Sequence, residues 1–98
     1  MSAGVKYDGQ KDRWYLMPWD ALREIVKVFT FGALKYTDFG WKTVPKLRER
    51  YLSALMRHMV AREQKLHDEE TGLLHSAHMG CCILILIWSD LHMKKRKR

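Results

Sequence analysis

The chain has 98 residues, of which 47% are hydrophobic, so it is expected to fold as one small domain and an intrinsically disordered chain is excluded. Its longest apolar run, 79–88, is too short for a bilayer span of roughly 20 residues. The formal net charge is +7, but residues 94–98 carry +5, and +7 less +5 leaves +2 elsewhere, so the body is only mildly basic. The opening Met1-Ser2-Ala3-Gly4-Val5 has no apolar leader core. Together these features predict a cytoplasmic protein with no membrane association.

Residues 1–17 read as an irregular N-terminal arm. Gly4 and Gly9 form turns, and the charges show no helical period. Trp14, Tyr15, Leu16 and Met17 make an apolar patch that must pack on something. The first helix is expected to begin around Pro18, which suits a first helical turn, with Asp20 complementing the N-terminal dipole. Leu22, Ile25, Val26, Phe29, Ala33 and Tyr36 recur at helical spacing. Gly32 interrupts that helix at about 1 kcal/mol relative to Ala. It marks either a close helix approach or backbone open to a ligand.

Residues 37–44 read as a loop. The second helix is expected from Pro45 to about Lys65, with two apolar stripes. One is Leu47, Tyr51, Leu55 and His58; the other is Leu52, Met56 and Met59, ending at Glu63. Two stripes predict a helix packed between partners. Residues 66–72 connect it to a third helix, with Thr71 as the expected N-cap, running to about His92. The third helix is apolar all round over 79–88, so its centre needs cover on every face. Three helices of this length do not supply that cover. The expected architecture is therefore an all-α, three-helix domain over 1–93, forming a dimer or higher homo-oligomer through the third helix. A basic, disordered tail follows at 94–98. The adjacent Cys81 and Cys82 are expected as buried thiols, because neighbouring cysteines do not form an unstrained disulfide.

The chemistry-bearing residues gather at 57–78. His75 and His78 are spaced i, i+3 and share a helical face. With Asp68 they form the candidate metal set, and His75, His78 and Glu63 form the candidate catalytic set. Imidazole mixed with carboxylate suits Zn²⁺, Mn²⁺, Fe²⁺ or Ni²⁺ better than Mg²⁺, which prefers oxygen. The plain alternative is that His58 and His78 are core histidines bonded to carboxylates or carbonyls, and that His75 caps a helix. Hydrolysis of a nucleotide anhydride on an all-α fold commonly uses an E-x-x-E pair and an E-x-x-D pair holding Mg²⁺. The sequence contains neither.

Cations and aromatics are better supplied. Lys6, Asp8, Lys11, Arg13 and Trp14 of the arm, Lys35 and Tyr36 of the first helix, and Arg57 and His58 of the second are the candidate nucleotide-binding residues. Arg contacts phosphate bidentately, Lys does so as a point charge, and Trp14, Trp41 and Tyr36 offer faces for a base. Lys42, Lys46, Arg48 and Arg50 read as solvated surface charges. Neither a P-loop nor a Rossmann fingerprint is present.

Several strings taken together resemble a known family. They are Lys6-Tyr7-Asp8-Gly9 with Lys11 and Arg13-Trp14; Pro18-Trp19-Asp20-Ala21-Leu22; Phe31-Gly32-Ala33 with Lys35-Tyr36; Trp41; Arg57-His58; and Asp68, Thr71-Gly72, His75 and His78. The pattern covers residues 5–90 and is similar to the phage-encoded dATP/dGTP diphosphohydrolase N-terminal domain family. That resemblance implies an α-helical phage protein linked to purine deoxynucleotides, working in the host cytoplasm. It also implies a partner or fused neighbour among all-α nucleotide pyrophosphohydrolases, whose acidic pairs are missing here. Met17, Gly40 and Arg62 depart from the expected Leu, Asn and Gly, and Arg62 adds a charge beside the presumed pocket.

Three function classes follow. The first is a small nucleotide-binding protein that holds a phosphorylated purine nucleotide or nucleotide signal, sequestering it against host defence. The second is a diphosphohydrolase that uses a divalent Mg²⁺, Mn²⁺ or Zn²⁺ to release pyrophosphate from dATP or dGTP. The third is a nucleic-acid binder acting through the basic tail. The missing acidic pairs favour the first.

Overall fold

A computed structural model describes residues 11–93. Lys6 and Asp8 of the arm and the tail at 94–98 lie outside the described residues. Three helices make up the fold: α1 (Trp19–Lys35), α2 (Leu47–Arg62) and α3 (His75–His92). Two short 3₁₀ turns, Trp14–Leu16 and Gly40–Thr43, lie before α1 and between α1 and α2. Among the described residues there is no β-strand, so the chain is all-α. No helix there is long and apolar enough to cross a membrane.

The helix α3 is the element on which both others pack, α2 more extensively than α1. Its inward face carries Ala77, Cys81, Cys82, Ile85 and Ser89, all buried. Val28 of α1 and Leu47 of α2 close on it, with Ile25, Phe29, Trp41, Tyr51, Leu73, Leu74 and Trp88 around them. Gly80 lets α1 and α3 approach closely: a Cβ there would meet the Ile25 side chain at 2.5 Å. The close approach considered for Gly32 is not found, since nothing lies within 4 Å of a Cβ built there. Trp41 fastens the interhelical loop by edge-to-face contacts with Phe29 at 6.1 Å and Trp88 at 5.1 Å. That indole is part of the packing, not a face for a base.

Both cysteines are free, buried thiols. Burial pushes Cys81 up to about 12 and Cys82 up to about 11.

Three local expectations are corrected. The second helix starts at Leu47, because Lys46 adopts a left-handed conformation with φ 55° and turns the chain just before it. The third helix starts at His75, with Leu74 as an N-cap that gives no side-chain bond. Thr71 is drawn away to Asp68, its backbone N–H and its hydroxyl both donating to Asp68 Oδ2 at 2.9 Å. The apolar quartet at 14–17 finds no cover: Trp14, Tyr15, Leu16 and Met17 all stay exposed.

A histidine and aspartate cluster at the floor of the α2 groove

The connection between α2 and α3 is folded back on itself. The Asp68 N–H donates to the Leu73 carbonyl at 2.8 Å and the His75 N–H to the Leu66 carbonyl at 3.0 Å, forming an isolated bridge between His67 and Leu74. Gly72 closes the tip at φ 76°, its N–H donating to the Asp68 carbonyl at 2.7 Å. This turn sets Asp68 beside the first residue of α3.

There His75 and His78 project from one face of α3, as their spacing requires. His58 meets them from the inner stripe of α2. The Nδ1 atoms of His58 and His75 lie 2.9 Å apart, so one ring donates its hydrogen to the other. The His58 and His78 rings stack with centroids 4.4 Å apart and planes 6° apart. His78 Nε2 lies 2.9 Å from the Thr71 hydroxyl and 3.8 Å from Asp68 Oδ2. His75 is buried, at 6% exposure, while His58, His78, Asp68 and Thr71 are half-buried.

The electrostatics follow from that burial. Removal from water lowers the pKa of His58, and the neighbouring His78 and His75 push in the same direction. His78 is also lowered by burial, against the opposing pull of Asp68. Burial would raise Asp68, but the two hydrogen bonds from Thr71 outweigh it and hold the carboxyl below its usual range. Burial thus favours the neutral form of His58 and His78, while Thr71 favours the ionised form of Asp68.

One ligand atom each from His58, Asp68 and His75 lie within 4.8 Å of one another, a spacing that can hold a metal ion. Asp68 and His75 of the expected metal set thus meet His58, while His78 turns to Thr71. All three open into a groove of ≈ 830 Å³ along α2, lined also by Leu52, Met56, Arg57 and Val60. That volume falls within the roughly 300–1,000 Å³ typical of small-molecule sites. The groove wall takes Leu52 and Met56 from the second α2 stripe and adds Val60, which neither stripe included; all three are exposed. The two-stripe pattern pointed to this face, but as one needing a covering partner.

Other candidates sit apart. Glu63 is the exposed C-cap of α2 and does not line the groove. Lys35 pairs with Glu70 at 2.8 Å, which raises its pKa and ties α1 to the connection. Tyr36 lies beside it, beneath the Lys35 ammonium. Lys11, Arg13 and Trp14 are exposed and do not line the groove; Arg13 donates to the Tyr15 hydroxyl at 2.9 Å. Lys42, Lys46, Arg48 and Arg50 are exposed, as expected of surface charges. Thr71 is the residue whose part the sequence concealed: an apparent helix cap is the link between Asp68 and His78.

Comparison with known proteins adds two findings. A family model described as dATP/dGTP diphosphohydrolase, N-terminal, matches residues 1–98. A Salmonella phage PMBT28 protein named dATP/dGTP diphosphohydrolase is 34% identical over 86 residues, covering 87% of this chain and 29% of that protein. The chain therefore spans less than a third of that relative's length. No solved structure matches.

Proposed function

The chain belongs to the dATP/dGTP diphosphohydrolase N-terminal family, and from that membership we propose that it binds a phosphorylated purine deoxynucleotide in the α2 groove. The observation that carries this reading is the joining of two unlike surfaces in one groove. Leu52, Met56 and Val60 give an apolar wall against which a purine can lie, and methionine sulfur favours aromatic rings. Arg57 and the cluster bring charge and hydrogen bonds to the same groove. The guanidinium suits bidentate phosphate contact, and the His58 and His75 imidazoles of the groove offer further donors. Lys35, held by Glu70, serves the frame instead.

Calorimetry with dATP, dGTP, dCTP and dTTP tests it. Purine nucleotides should bind more tightly than pyrimidine ones. Arg57→Ala should weaken binding by about 1.5–3 kcal/mol, the range for a hydrogen bond to a charged group. Absence of binding by dATP and dGTP would discard the reading. Ligand recovered intact after heat denaturation marks a sequestering protein, whose use would be to withdraw a nucleotide, including a host defence signal, from solution.

A second reading, favoured by the name of the phage relative, is hydrolysis of dATP or dGTP to the monophosphate and pyrophosphate. It requires a divalent Mg²⁺, Mn²⁺ or Zn²⁺ held by Asp68 with the histidines, and His75 or His78 moving the proton. Chromatography of the nucleotide after incubation separates the two readings, since only hydrolysis yields monophosphate.

A further inference from the structure

We propose that His58, Asp68 and His75 form a site for one borderline divalent transition-metal ion, of the Zn²⁺, Co²⁺ or Ni²⁺ class, with a coordination position left open to the groove. The inference stands on side-chain geometry and does not depend on what else the groove binds.

Three arguments converge. The first is reach. The three ligand atoms already lie within 4.8 Å of one another, and bonds of about 2.0–2.2 Å to N and O would draw them around one ion with side-chain adjustment alone. The 2.9 Å contact of His58 Nδ1 with His75 Nδ1 marks where the ion enters. In the metal-free chain one of these nitrogens carries a hydrogen. When the ion takes both lone pairs, that hydrogen passes to Nε2 of the same ring, so each imidazole stays neutral.

The second argument is donor chemistry. Two imidazole nitrogens and one carboxylate oxygen suit zinc and its neighbours, whereas Mg²⁺ takes oxygen ligands in near-ideal octahedra. Three protein ligands are one short of a closed structural zinc site and match the open kind. All three residues line the groove, so the remaining position faces it.

The third is the support around the ligands. Thr71 donates twice to Asp68 Oδ2, leaving Oδ1 for the ion. Its hydroxyl also meets His78 Nε2, and the His78 ring lies flat on His58. His75 is seated in the first turn of a packed helix. Such outer contacts orient metal ligands and tune their affinity.

The test uses the full, untagged chain, stripped with a chelator and titrated with Co²⁺ in the absence of nucleotide. One equivalent should bind, with visible d–d absorption that one equivalent of Zn²⁺ abolishes and excess Mg²⁺ leaves unchanged. His58→Gln and Asp68→Asn, checked for folding by circular dichroism, should each weaken Co²⁺ binding by more than tenfold. Thr71→Val should weaken it by about tenfold, as outer-contact losses do. Wild-type protein that binds no Co²⁺ overturns the proposal. So does equal Co²⁺ affinity in a folded His58→Gln/Asp68→Asn double variant, which would place the ion elsewhere. Displacement by Mg²⁺ would also sink it, because an oxygen-preferring site would then be present.

Discussion

Gly72 holds the site together by backbone alone. Its φ is 76°, and nothing lies within 4 Å of a Cβ built there. Replacing it costs conformation, not space. Gly72→Ala should lower unfolding free energy by about 1–2 kcal/mol, the cost of a left-handed residue with a side chain. It should also weaken ligand binding, because the same turn presents Asp68 to the histidines. Denaturant unfolding measures the first effect, and an unchanged midpoint would show that the turn relaxes freely. The histidines set the pH response. His58 and His78 titrate below their ordinary 6.5 in the folded chain, so between that depressed value and 6.5 the unfolded chain binds more protons. Stability contributed by these groups is complete above 6.5 and is lost as pH falls through the folded value. Asp68, held below its ordinary 3.8, works in the same direction at lower pH: its contribution is present above 3.8 and lost below. In chelated protein the melting temperature should therefore fall as pH drops from about 7.5 to about 5.5. The slope should shrink in His58→Gln. A flat profile in the wild type would mean the rings protonate without resistance.

At the scale of elements, α3 carries the fold. Ile85 is 2% exposed and sits between α1 and α2. Ile85→Ala should cost about 2–5 kcal/mol, the range for emptying a packed aliphatic position. Guanidinium unfolding will show it, and a cost well under that range would mean that the bundle collapses into the space. Helix identities were legible because their apolar residues recur every three to four positions and Pro18 and Pro45 stand just outside two of the starts. Starts governed by tertiary contacts were less so. Lys46 turns the chain without the glycine or asparagine that signals such a turn, and Thr71 looked like a cap because nothing in its neighbours reveals the pull of Asp68. The site was half legible for the same reason. The shared face of His75 and His78 follows from helix geometry. The stacking of His58 on His78, and the placing of Met56 and Arg57 in one groove, depend on how α2 registers against α3, which no local pattern encodes. The arm was expected at this pocket for its cations and for the face of Trp14, and Lys11, Arg13 and Trp14 do not line the groove.

Among the described residues, apolar surface stays uncovered on α3, where the sequence asks for a partner. Along the outer side of α3, Ile83, Leu84, Ile87 and Leu91 form one stripe at helical spacing, and Ile87 is 47% and Leu91 72% exposed. A contiguous stripe on the central helix differs from the scattered apolar residues of an ordinary surface. No charged residue occurs at 79–89, and Asp90, which precedes Leu91, is exposed, so two copies can meet along 83–87 without burying a charge, whose loss of water is costly. A two-fold arrangement sets the same stripe against itself and needs no second kind of surface. Sedimentation equilibrium of the purified chain should therefore report a dimer or a larger assembly. Ile87→Glu should give a monomer with unchanged helical content, since that side chain faces away from the core. The groove and the His58–Asp68–His75 cluster involve other residues, so Co²⁺ binding should persist in the monomeric variant. A wild-type chain that sediments as a monomer would end the idea that α3 meets its own copy. A variant that loses both assembly and Co²⁺ binding would instead show that the site is complete only in the oligomer.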